Sequence, residues 1–263
     1  MSKNIAVVST KGGPGKSTVS TMPLPLIVNE EKINIYELDD NNKTELKSNR
    51  IKFECLKIKD AVGVVNGIDY GIQIGEEVVN IIDIGGGSDV EDVLNIIHKT
   101  GTRGFTFIIP INDDLEQIHN LEETIKKILM VDQNPVIYLI LNKVISLDKD
   151  VIRKQFVGIY GSKRYMIDPL NKDILKHIKD IYFLRASPIF TILKNIYKKS
   201  LLDSYVDAVN IIDNLEKYKN EWAPKGREFY DKKLAQVALA KDVIELVDEI
   251  KRTMGTMEFR DAK

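Results

Sequence analysis

Residues 5–18, Ile5-Ala6-Val7-Val8-Ser9-Thr10-Lys11-Gly12-Gly13-Pro14-Gly15-Lys16-Ser17-Thr18, decide the fold. The four apolar residues predict a short buried strand, and the glycines after them predict a tight turn. A cradle for phosphate needs backbone N–H groups turned inward around anionic oxygens. Glycines permit those dihedrals and leave room for the anion. The N-terminus of a following helix adds a partial positive charge. Gly12, Gly13, Pro14 and Gly15 form the cradle, and Lys16 is placed to reach β- and γ-phosphates. Ser17 is placed to ligate magnesium, and Thr18 follows it at the start of the helix. That helix is expected from Lys16 to about residue 30, with a break or kink at Pro23 and Pro25.

Working outward, the apolar pattern alternates between short runs and helical periods. Strands are expected at 33–38, 51–58, 78–82, 105–109, 136–141 and 181–184, with Pro110 closing the fourth of these. Residues 41–50 are polar and predict a loop, while 60–76 are ambiguous because four glycines interrupt them. Ser88 is expected to cap a helix to about Lys99, and Asp113 or Asp114 one to about Met130. Beyond residue 200 the pattern is helical, with apolar stripes at 202, 206, 209, 212 and 215 and at 239, 243, 246 and 250. The fold class is therefore α/β: a mostly parallel twisted sheet with helices on both faces and a helical C-terminal region. One domain spans 1–263, as a nucleotide-binding core over 1–200 with helices of 201–253 packed on it.

Composition removes several function classes. The 263 residues carry a formal charge of -1 and a single cysteine, Cys55, so neither an internal disulfide nor a cysteine cluster is available. A reducing, cytoplasmic setting is expected. His98, His119 and His177 have no metal-type spacing, and the sequence shows neither a leader nor an apolar run long enough to span a bilayer. Charge is uneven: residues 147–200 hold twelve Lys or Arg against five Asp or Glu. That segment reads either as a solvated face or as a patch for a polyanion.

Lys11 precedes the first glycine of the loop, so the stretch reads K-G-G-P-G-K-S-T. In this it resembles the deviant Walker A family of ATPases, the ParA/MinD/nitrogenase-iron-protein group, whose pattern is K-G-G-x-G-K-[ST]-[ST]. The resemblance implies ATP and Mg2+ as cofactors. It also implies that Lys11 crosses a dimer interface to the partner's nucleotide, so that ATP controls formation of a homodimer. Strand two ends Glu37-Leu38-Asp39-Asp40 where the family shows Asp-x-Asp-Pro-Gln. Asp39 thereby becomes the residue that orients the attacking water. Asp83, ending the next buried strand, takes the place of a Walker B carboxylate holding magnesium, and Gly85-Gly86-Gly87 follows it as a possible γ-phosphate sensor. Asn142 ends a later strand and is the implied adenine contact, with Pro188 flanking the base.

The favoured implication is a ParA-like ATPase that dimerises on ATP, binds nonspecific DNA and segregates plasmid or chromosomal DNA. Hydrolysis would be stimulated by a centromere-binding, ParB-like protein or another activator, and the ATP-bound form would associate with the nucleoid. Lys163, Arg164, Lys194, Lys198 and Lys199 are the candidate DNA contacts. The alternatives are a relative that positions another cargo or serves conjugative transfer, a MinD-like membrane-cycling ATPase and a metabolic enzyme. The tail from Lys251 has Met254, Met257 and Phe259 but no sustained apolar stripe, which argues against membrane cycling.

Overall fold

The computed structural model describes residues 2–28, 30–40 and 44–262. Residues 41–43 of the expected loop lie outside them. The elements in chain order are β1 (Lys3–Val7), α1 (Lys16–Thr21), α2 (Pro23–Val28), β2 (Ile33–Leu38), β3 (Ile51–Leu56), α3 (Ala61–Gln73) and β4 (Val79–Ile84). They continue with α4 (Ser88–Thr100), β5 (Phe105–Ile111), α5 (Leu115–Val131), β6 (Val136–Val144), α6 (Lys149–Gln155), α7 (Val157–Tyr160) and α8 (Lys172–Leu175). The chain ends with β7 (Asp180–Arg185), α9 (Pro188–Thr191), a π turn (Ile192–Tyr197), α10 (Leu201–Asp213), α11 (Leu215–Trp222) and α12 (Arg227–Met254).

Among the described residues the strands form one seven-stranded sheet in the order β3-β2-β4-β1-β5-β6-β7, with every pairing parallel. Both faces are covered, which is why β4 and β5 are buried at every position and are largely apolar, broken only by Asn80, Asp83 and Thr106. Strand alternation divides the core in two. Ile5 and Val7 pack with α1, α2, α9, α10 and α12, whereas Ala6 and Val8 pack with α3 to α8. Met254 and Met257 lie in the first of these cores, so the apolar residues of the tail are inside the molecule. The tail then crosses the N-terminal end of the sheet: Tyr138 Oη donates to Glu258 O at 2.8 Å, and Asp261 pairs antiparallel with Lys3.

Three expectations need correction, and one ambiguous stretch resolves. Pro110 does not end β5, which runs on to Ile111. Val8 N donates to Ile108 O, so the even-numbered residues of β5 face β1, and that ladder stops at Ile108. Pro110 therefore lacks an N–H on the side where none is needed. Residues 61–73 form a helix despite Gly63, Gly67 and Gly71, because Ala61, Val64, Val65 and Ile68 bury one face of it. Helix α4 begins at Ser88 itself, with Gly87 in the cap position and no side-chain cap. In α10 the buried face is Leu201, Leu202 and Ala208, and Val206 points out. Ser200 caps the helix by accepting from Asp203 N, and its hydroxyl and that of Ser48 both donate to Asp203 Oδ2 at 2.5 Å. This buried polar cluster fixes the rotation of the helix. The expected break at Pro23 is present: α1 stops at Thr21, and Pro23 opens α2.

Candidate nucleotide-binding site

The chain leaves β1 and wraps through Ser9–Gly15 into α1 at the centre of the sheet. There β4 and β5 flank β1 on opposite sides, which makes the crevice above β1 a topological switch point. Gly13 (φ 88°) and Gly15 (φ 94°) are left-handed, a conformation that disfavours a side chain. A Cβ on Gly15 would lie 2.2 Å from Asn142 Nδ2, whereas Gly12 and Gly13 face open space. The loop after β4 seals the cradle from one side. Gly87 N donates to Thr10 O at 2.8 Å, and a Cβ on Gly86 would lie 3.3 Å from Gly12 N.

A cavity of about 340 Å³ fills this crevice. Gly12 to Thr18 line it, together with Glu37, Asp39, Asp83, Gly85, Lys143 and Lys194. Lys16 is buried and donates to Ser9 O (3.4 Å) and Lys11 O (3.3 Å), which curls its ammonium back over the loop. Burial lowers its pKa, opposed by the charges of Asp83, Asp39 and Asp89. Asp83 is buried beside α1 and accepts from Ser20 Oγ at 3.0 Å. Burial pushes its carboxyl up to about 6, and the neighbouring Glu37 pushes the same way, while hydroxyls from Ser17 and Ser20 pull it down.

Glu37, to which the sequence assigned no role, also lines the cavity. It pairs in register with Asp83 on β4 and with Cys55 on β3. Its carboxylate accepts from Ser17 Oγ (3.4 Å), Thr44 Oγ1 (2.7 Å) and Cys55 Sγ (2.9 Å). Burial, followed by the Glu37 contact, pushes the Cys55 thiol up to about 12, so it is not a reactive thiolate. Asp39 lines the cavity at the end of β2, held by its N–H to Leu56 O at 3.2 Å.

The remaining sequence-derived residues separate into groups. Lys11 forms ion pairs with Glu116 and, at 3.8 Å, with Asp114, both at the start of α5 in the same chain. Asn142 is the buried buttress of the loop: its Nδ2 donates to Pro14 O at 2.7 Å. It also lines a second cavity, of about 320 Å³, with Thr18, Lys143, Arg185, Ser187 and Pro188. Asn142 and Pro188 thus share one hollow beside the cradle. Lys143 borders both hollows from a bulge in β6, in left-handed backbone (φ 60°). Of the five cations suggested for DNA, Lys194 borders the cavity over the cradle, Lys198 is paired with Glu45 and Lys199 with Asp207. Lys163 and Arg164 sit on a separate turn, where Arg164 lies 5.6 Å from the Tyr165 ring centroid. No local signal reveals Lys143 or Lys194 as cavity residues, since only the long-range fold brings them there.

The sheet order, the glycine cradle at its switch point and the lysine on each side of the glycines define an α/β fold with a P-loop between β1 and α1. No family model matches the sequence, and no curated protein matches it by sequence. The solved structures that it resembles include apo McdA from Cyanthece, at 13% identity and a TM-score of 0.51, covering 74% of this chain and 90% of that one. They also include the MinD cell division protein of Aquifex aeolicus, at 14% identity and a TM-score of 0.46, covering 73% and 86%. A third is pNOB8 ParA bound to nonspecific DNA, at 12% identity and a TM-score of 0.42, covering 95% and 99%. The likeness to McdA establishes a shared fold.

Proposed function

We propose that this chain is a magnesium-dependent ATPase of the ParA type, which dimerises on ATP, binds DNA without sequence preference and is released when a partner protein stimulates hydrolysis. The observation that carries the reading is the convergence of Lys16, Ser17, Asp39 and Asp83 on one cavity at the switch point. The donors suit the ligands. Open glycines and a buried ammonium fit phosphate, and a hydroxyl beside a carboxylate fits a hard divalent cation. A magnesium ion bound there would neutralise charge on the β- and γ-phosphates.

In the reaction, water adds to the terminal phosphorus as the bond to the β–γ bridging oxygen breaks, yielding ADP, inorganic phosphate and a proton. Asp39 orients that water from the rim of the cavity, and Lys16 binds the phosphates. Asn142 and Pro188 border the hollow for the base. Lys11 exchanges Glu116 for the nucleotide of the facing subunit. Among the basic candidates, Lys163 and Arg164 have no ion-pair partner among the described residues, which leaves their charge for DNA phosphates. A membrane-cycling role draws no support from the tail, whose methionines are buried.

The test uses two substitutions. Lys16→Ala is expected to abolish ATP binding, and unchanged affinity would sink the assignment. Asp39→Ala is expected to leave an ATP-bound dimer that hydrolyses slowly. For DNA, binding of a random duplex should require a non-hydrolysable ATP analogue and weaken with salt. A flat salt response would remove the segregation role.

A further inference from the structure

We propose that Lys194 binds the terminal phosphate of ATP from within the same subunit, and so sets the preference for ATP over ADP. This rests on the nucleotide reading above and adds a residue to it.

Three hollows lie side by side, and the residues they share give a direction. The hollow with Asn142 and Pro188 meets the phosphate cavity at Thr18 and Lys143. A third, of about 500 Å³, meets the phosphate cavity at Ser17, Glu37 and Lys194. A nucleotide with its base in the first hollow runs its phosphates past Thr18 toward Ser17. Its last phosphate then lies at the end that Lys194 borders.

The chain goes to some length to present this lysine there. Ile192–Tyr197 is a π turn, a rare geometry that concentrates at functional sites. With its wider winding, Leu193 stays in the core while Lys194 faces the cavity. The turn closes through Lys199 N donating to Leu193 O at 3.0 Å and through Lys198 in left-handed backbone (φ 51°). Lys47 N donates to Lys198 O at 2.7 Å, which ties the turn to the segment whose Thr44 holds Glu37. Left-handed backbone at a lysine carries strain, and such strain gathers at ligand clamps.

Lys198 and Lys199 spend their charge on Glu45 and Asp207. Lys194 is half-buried and has no hydrogen-bond or ion-pair partner among the described residues. The carboxylates of Glu37, Asp39 and Asp83 line the same cavity. A further fixed cation is what a terminal phosphate entering beside them requires, and a lysine supplies it as a point charge. ADP ends short of it.

The test is equilibrium binding of ADP and of a non-hydrolysable ATP analogue, each with magnesium, to wild type, Lys194→Gln, Lys194→Arg and Lys179→Gln. Lys194→Gln should weaken the analogue on the order of ten- to a hundredfold, the range for a charge-assisted contact, and leave ADP unchanged. Lys194→Arg should restore most of the difference, and Lys179→Gln, whose lysine pairs with Glu258 away from these hollows, should change neither ligand. Melting curves confirm that each variant is folded. Wild-type preference for the analogue retained in Lys194→Gln overturns this proposal alone, and so does equal loss of both ligands. Wild type binding neither nucleotide overturns the P-loop reading and this one with it.

Discussion

Replacing Asp83 by Asn should make the nucleotide-free protein more stable while removing its response to magnesium. Asp83 is 2% exposed, and its carboxyl is raised from 3.8 to about 6 by burial and by Glu37 beside it. A carboxyl raised in the folded state favours folding below the unfolded value of 3.8. That contribution is lost as pH rises through 6, so at neutral pH the ionised carboxylate costs stability. Two pKa units and a little more, at about 1.4 kcal/mol each, give a cost on the order of 3 kcal/mol at pH 8. At pH 5 the cost falls to roughly half, because the folded protein is then mostly protonated at this site. Asn retains the shape and an oxygen for Ser20 Oγ, so it relieves the charge without opening a cavity. Urea unfolding of both proteins at pH 5 and pH 8, without nucleotide, measures the gap. Equal stability at pH 8, or a gap that does not shrink toward pH 5, would refute a net cost of the buried charge that Ser17, Ser20 and Lys16 only partly offset. Wild-type stabilisation of the variant by magnesium with ATP would refute Asp83 as a metal-holding group.

Two further substitutions probe the loop and its lysine. Gly15→Ala forces a side chain into left-handed backbone and to 2.2 Å from Asn142 Nδ2, displacing the bond to Pro14 O. It should cost about 2–4 kcal/mol and abolish nucleotide binding, read by thermal unfolding with and without ATP. Glu116→Ala removes the closer of the two ion pairs that hold Lys11, an exposed one of little energetic weight, and leaves that with Asp114 at 3.8 Å. It should leave ATP affinity and stability unchanged and promote ATP-dependent dimerisation in light scattering, whereas Lys11→Ala should prevent dimerisation with ATP still bound.

The fold was legible wherever its cause is local. Strand β2 was read to the residue because Ile33, Ile35, Tyr36 and Leu38 make an apolar-rich stretch between polar turns, and the cradle because every residue it needs lies within 11–18. Helix α3 was not, since three glycines at a cost of about 1 kcal/mol each obscure a helix that only packing against the sheet stabilises. The outward turn of Val206 was hidden for a related reason: the partner that fixes α10, Ser48, lies 155 positions from Asp203.

The same division governs the site. Asp39 follows β2, and Asp83 and Asn142 lie near the C-terminal ends of β4 and β6, so their arrival at one end of a parallel sheet follows from the strand pattern itself. The surplus of positive charge in 147–200 could not be resolved in that way, because a count along the chain says nothing about partners from elsewhere. Arg185 meets Glu249, Lys179 meets Glu258, Lys198 meets Glu45 and Lys199 meets Asp207, and all four acids lie outside the segment. A surplus in sequence is thus largely consumed in space. What identifies a cation free for a ligand is its lack of an internal partner together with the surface it borders. By that criterion Lys194 belongs to the cavity over the cradle, and Lys163 with Arg164 to an outward-facing turn.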